Sequence, residues 1–75
     1  MKTIIENWIK DNSRSSRQAI MQHADALNAS TENDDAFLSL AHVVADAQAM
    51  ERHGGQADVL YNAAFCMAVS LVARL

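Results

Sequence analysis

The side chains that could do chemistry in this sequence are three histidines, one cysteine and a few acids and bases. His42 and Asp46 stand four residues apart, so on a helix they share one face and could hold a metal ion between them. His23 and Cys66 are the remaining candidates for such a site. The chain has no second pair at metal-ligand spacing, neither HExxH nor CxxC. We interpret His42 and Asp46 as part of a solvated polar face, and predict no metal site and no cofactor.

Cys66 with a histidine is the minimum for a thiol nucleophile. The cysteine lies within the apolar run 63–69, where a free cysteine usually behaves as a small buried hydrophobe. Burial makes a thiol unreactive. The two glycines, Gly54 and Gly55, lack the neighbours of a phosphate-binding loop. We therefore predict that the protein is not an enzyme.

A basic segment covers residues 10–18, where Lys10, Arg14 and Arg17 stand among serines that could contact phosphate. Residues 1–22 hold four bases against two acids, a balance of +2. Residues 23–53 hold one base against six acids, a balance of −5, and residues 54–75 hold one of each, so the chain has its net charge of −3. An acidic chain gives no reason to expect general affinity for nucleic acid. A nucleic-acid-binding regulator that uses Arg14 and Arg17 is therefore an alternative hypothesis.

The elements that must position these residues are helices. The 75 residues include no proline, and the only glycines are adjacent. Such a composition favours helix, and one turn signal is too few for a β fold. The apolar pattern predicts a short N-terminal helix over 2–11 and three main helices over 15–28, 32–53 and 56–74. We predict an all-α fold, a small helical bundle in a single domain over residues 1–75.

Three breaks separate these helices. Gly54 is expected to end the third helix in the left-handed conformation that glycine tolerates. Ser30 or Thr31 is expected to cap the start of that helix. A serine within 13–16 is expected to cap the second helix. A break there is needed because the apolar faces of 4–9 and 20–27 would lie about 120° apart on one straight helix.

The last predicted helix is apolar on almost every side. No charged residue stands between Asp58 and Arg74, and a thin polar line recurs at every fourth position. Short neighbours cannot cover such a helix, and the rest would exceed the few hundred Å² of apolar patch that monomers tolerate. We therefore predict a homo-oligomer. The candidate interface residues are Trp8, Ile9, Leu60, Ala64, Met67 and Leu71.

An apolar stretch of about 15 residues is shorter than the roughly 20 needed to cross a bilayer, so no membrane association is expected. A lone cysteine and no evident targeting segment favour the cytoplasm. The leading hypothesis is a small, non-enzymatic regulatory or inhibitory protein that binds another protein as a homo-oligomer. A second alternative is a small-ligand-binding oligomer, with a pocket between protomers near Tyr61, Asn62 and Ser70. The candidate partner-binding residues are Lys10, Arg14, Arg17, Asp35, His42 and Asp46.

Overall fold

The structure is a computed structural model that describes residues 2–30 and 34–75. It contains four helices: α1 (Lys2–Lys10), α2 (Arg14–Ala29), α3 (Asp35–Arg52) and α4 (Asp58–Arg74). Each helix packs against two others: α1 and α3 each contact both α2 and α4. The described residues form no strand. The all-α bundle with a short N-terminal helix is therefore confirmed.

The core is apolar and draws on all four helices. Phe37, Leu40 and Val44 of α3 are fully buried, as are Ile5 of α1 and Ile20 of α2. Burial of side chains of this size stabilises a fold by about 1.5–3 kcal/mol each. No polar or charged side chain is buried among the described residues. The chemistry-bearing residues are therefore held at the surface of a packed apolar scaffold.

The break between α1 and α2 is the serine cap that the sequence predicts. Ser13 is the N-cap residue, and the Ser16 N–H donates to its Oγ at 3.3 Å. In return the Ser13 N–H donates to the Ser16 Oγ at 3.0 Å, which completes a capping box. The chain changes direction here, and as a result Ile5 and Ile20 reach the same core.

The break after α3 is also as predicted. Gly54 has φ +79°, and a Cβ built at this position would meet nothing within 4 Å, so the backbone conformation is what requires glycine there. The Gly55 N–H donates to the Met50 carbonyl at 2.9 Å, and the Gly54 N–H donates to the Glu51 carbonyl at 3.2 Å. This pair of bonds is the Schellman motif, which satisfies carbonyls at the end of a helix.

The start of α3 differs from the expectation. Its N-cap residue is Asp34, whose carboxylate accepts the Phe37 N–H at 3.1 Å. Ser30 instead ends α2, where both its N–H and its hydroxyl donate to the Leu27 carbonyl. Asp34 combines the capping oxygen with a negative charge at the positive end of the helix dipole. Thr31 and the predicted helix start at residue 32 lie outside the described residues, and the other helix bounds agree within two residues.

Candidate functional site

Helix α4 buries two of its alanines, whereas three of its large apolar side chains stay exposed. Ala64 and Ala68 are fully buried, whereas Phe65 and Val69 are each 45% exposed and Val59 is 76% exposed. Helices that pack on a core usually bury their large apolar residues. Ten of the seventeen residues of α4 are exposed. We call their uncharged set the outward face: Val59, Asn62, Ala63, Phe65, Cys66, Val69, Ser70 and Ala73.

Cys66 is at the centre of this outward face, and the expectation that it is buried was wrong. It stands two residues from both Ala64 and Ala68, which face the core. At about 100° per residue, Cys66 is therefore about 160° around the helix from each of them. The apolar run that surrounds Cys66 in the sequence hides this, because the run has no polar residue to mark the solvent side.

The residues predicted for the oligomer interface divide into two groups. Trp8, Ala64 and Leu71 are buried in the core of the chain itself. Ile9 and Met67 are half-buried and pack against that core, and Leu60 is also half-buried. The exposed large apolar residues of α4 are therefore others, namely Val59, Phe65 and Val69.

Periodicity alone could not choose between the two sides of α4. Ala64, Ala68 and Leu71 follow the 4,3 spacing of an apolar stripe, and so do Phe65, Val69 and Val72. Either stripe could face a core. The signal that separates them is side-chain volume, since the alanine stripe lets α4 approach the large residues of α3 closely.

A shallow groove of about 280 Å³ adjoins the outward face. It runs between α1 and α4 and is lined by Glu6, Ile9 and Lys10 from one helix and Val69 and Val72 from the other. Because its lining is mostly apolar, it extends the outward face sideways to α1.

Arg17 of α2 contacts the α1–α2 turn, α3 and α4. Its Nε donates to the Asn12 Oδ1 at 2.7 Å, and its Nη2 donates to the Asn12 carbonyl at 3.3 Å. Its Nη1 lies 3.5 Å from the Glu51 Oε1, and the guanidinium carbon stands 4.5 Å from the centre of the Tyr61 ring. Only 17% of the side chain is exposed. Arg17, predicted to meet a partner, is thus engaged within its own chain, whereas Lys10 and Arg14 are exposed.

Tyr61 lies beneath Arg17 and faces inward. Burial raises the pKa of Tyr61, the Arg17 charge opposes this, and the Glu51 charge adds to it. Its hydroxyl is buried and has no hydrogen-bond partner in the part of the chain that the structure describes. Asn62 and Ser70 lie on the outward face instead. The ligand pocket predicted near these three residues would lie between protomers, and it stays a prediction.

The acidic side of α3 is a polar surface. Asp35, His42 and Asp46 are all exposed and share one side of the helix. The His42 Nε2 lies 3.5 Å from the Asp46 Oδ2, and both side chains are more than half exposed. No group of three or more His, Cys, Asp or Glu side chains that could hold a metal ion occurs within residues 2–30 and 34–75. The pair is a surface contact between helix neighbours.

In the described ranges, no helix combines the length and apolarity needed to cross a bilayer. No family model matches this chain, and no curated protein or solved structure matches it either.

Proposed function

We propose that this protein is a small regulatory or inhibitory protein that acts by binding another protein, and that it works as a homo-oligomer. The observation that carries the proposal is the outward face of α4, where Phe65 and Val69 are half exposed and no charged residue stands between Asp58 and Arg74. Large exposed apolar patches mark protein–protein contact sites. Association through this face would cover what the neighbouring helices leave open.

Association through α4 would leave the charged surfaces free for a second protein. These are the acidic side of α3, with Asp35, His42 and Asp46, and the basic residues Lys10 and Arg14 around the α1–α2 turn. A regulatory or inhibitory role needs only a shaped and charged surface, which a rigid helical scaffold presents without catalytic groups. The exposed, unpaired Cys66 suits a reducing compartment, and we propose the cytoplasm.

Protein binding is favoured over the nucleic-acid alternative because of Arg17. That alternative needs both Arg14 and Arg17 to reach phosphate, and Arg17 is held by Asn12, Glu51 and the Tyr61 ring. Of the two arginines that this alternative uses, only Arg14 is then free to reach phosphate, and the chain as a whole is acidic.

Analytical ultracentrifugation over a wide range of protein concentration tests the oligomer. We expect a reversible oligomer that Val69→Glu weakens at least tenfold, because the variant buries a charge in an apolar contact. Met50→Glu is the matched control, since Met50 is 41% exposed but lies on α3. Circular dichroism checks that both variants fold. A wild-type chain that stays monomeric at every concentration would refute the proposal.

Binding of a second protein is tested separately by co-purification from the native host. We expect a second protein to co-purify with the wild-type oligomer. It should not co-purify with the double variant Asp35→Ala/Asp46→Ala, although this variant should still assemble. An exposed pair such as Asp25 and Gln22 on α2 provides the control substitutions. If no protein depends on the charged surfaces in this way, the regulatory role fails while the oligomer stands.

A further inference from the structure

We infer that the oligomer forms by antiparallel pairing of α4 with α4 of a second copy, across a two-fold axis that passes beside Cys66. The inference rests on the proposed homo-oligomer and specifies its geometry. The occupant of the outward face is thus a second copy of this chain.

The polar line on α4 is complementary to the same line on a second copy that runs in the opposite direction. Its members are every fourth residue, and all are exposed: Asp58, Asn62, Cys66, Ser70 and Arg74. When a second copy runs in the opposite direction with Cys66 at the centre, Asp58 faces the partner's Arg74 and Asn62 faces the partner's Ser70. A two-fold axis repeats each of these contacts. In a parallel pair, Asp58 would face the partner's Asp58 and like charges would repel.

The charges at the two ends of the line are available for this pairing. Among the described residues the ion pairs are Arg17 with Glu51 and His42 with Asp46, so neither Asp58 nor Arg74 belongs to one. The intervening residues of α4 are uncharged. Two chains of net charge −3 can therefore meet along α4 without like charges at the centre of the contact.

The spacing of the line also fits a common mode of helix packing. Residues four apart form ridges on a helix, and ridges of this kind interlock when two helices cross at about 50° with their axes 8–10 Å apart. Cys66, Ser70 and Ala63 are small enough for the close end of that range. Phe65 and Val69 stand beside the line and would fill the space on either side of the crossing.

Pairing with a second copy would need only a modest part of the surface of the chain. A standard interface takes about 800 Å² from each partner. That is about one sixth of the 4835 Å² that this chain exposes. Helix α4, with its 17 residues, is about 25 Å long, and the groove at Ile9 and Val72 widens its outward face towards α1.

Disulfide cross-linking through Cys66, the only cysteine, tests the register in the native chain. Diamide oxidises the two thiols to a disulfide. The two protons and two electrons that the thiols lose reduce the diamide to its hydrazine. Axes 8–10 Å apart and a Cα radius of 2.3 Å leave about 3.4–5.4 Å between two Cα atoms that face each other. That range overlaps the 4.4–6.8 Å of disulfides. We expect a reducible covalent dimer, and no such dimer from Cys66→Ser.

Relocated cysteines distinguish the antiparallel register from a parallel one. In a Cys66→Ser background, Asn62→Cys alone and Ser70→Cys alone should not cross-link, because each cysteine would stand about 12 Å along the axis from its own copy. An equal mixture of the two variants should give a mixed disulfide. Self-cross-linking of Asn62→Cys with none in the mixture would overturn the inference in favour of parallel helices.

Charge exchange gives an independent readout in solution. We expect Asp58→Arg and Arg74→Asp each to weaken association severalfold at low salt, and the double variant to recover most of it. A wild-type dimer that Val69→Glu dissociates, but that shows neither Cys66 cross-linking nor this recovery, would overturn the register alone. A wild-type monomer would overturn the register together with the proposed oligomer.

Discussion

Replacing Arg17 by alanine should destabilise the fold far more than the same change at Arg14, although the two residues are only three positions apart. The Arg17 guanidinium donates to Asn12, approaches Glu51 and covers the Tyr61 ring. Arg14 is exposed and has no side-chain bond among the described residues. The comparison therefore isolates the contacts, since charge, helix and side-chain type are the same.

The magnitude follows from the contacts. A hydrogen bond from a charged donor contributes about 1.5–3 kcal/mol, and a cation held over an aromatic ring about 0.5–1 kcal/mol. The ion pair adds at most about 1 kcal/mol, because Glu51 is 54% exposed and solvent screens it. These contributions overlap, and we expect Arg17→Ala to lower the free energy of unfolding by about 2–4 kcal/mol. Arg14→Ala should change it by no more than about 0.5 kcal/mol.

Urea unfolding monitored by Trp8 fluorescence measures both values, with all variants at one concentration because the proposed association would add stability. In a chain of this size, a loss of 2 kcal/mol or more lowers the melting temperature by at least about 8 °C. Arg17→Lys keeps the charge without the planar fork and should lie between alanine and wild type. Equal effects of Arg17→Ala and Arg14→Ala would refute this role for Arg17.

Substitutions at three further positions test local features of the fold. Ser13→Ala removes the acceptor of the Ser16 N–H and should cost about 1 kcal/mol in urea unfolding; an unchanged midpoint would contradict the cap. Gly54→Ala should cost about 1 kcal/mol because φ is +79°, and Gly54→Asn should cost less, whereas equal losses would argue against the left-handed turn. Tyr61→Phe removes an unpartnered buried hydroxyl and should be neutral or stabilising, so a loss above about 1 kcal/mol would reveal a partner. Because the folded pKa of Tyr61 is raised above the unfolded value of 10.0, the unfolded chain loses its proton first, and wild-type stability should fall above about pH 10 more steeply than that of Tyr61→Phe.

The features that sequence reasoning could predict are those whose partners lie within five residues of each other. The Ser13 cap closes on Ser16, and α3 ends through bonds from the Gly54 N–H to Glu51 and from the Gly55 N–H to Met50. Such signals are local, so the residue types reveal them directly. The cap of α3 was harder, because Ser30, Thr31 and Asp34 are all capping residues within five positions. Only the observed bond to Phe37 identifies Asp34.

The features that could not be predicted depend on contacts between distant segments. Arg17 and Glu51 are 34 positions apart, so nothing near Arg17 in the sequence shows that its charge is used internally. The exposure of Cys66 depends on which of two equally periodic stripes α4 turns towards α3. That choice is made by the volume left between the other helices, and a one-dimensional pattern does not contain this volume.

The orientation of α4 affects both the packing of the core and the proposed association. Phe37, Leu40 and Ile20 already fill the centre of the bundle, and alanines at 64 and 68 are what allow α4 to close over them. A rotation that brought Phe65 and Val69 inward would overpack this core, which costs about 1–3 kcal/mol or more. Phe65 and Val69 therefore stay half exposed for a steric reason. In the proposed oligomer, a second surface would bury the rest of these side chains, and folding and association would be coupled through this one helix.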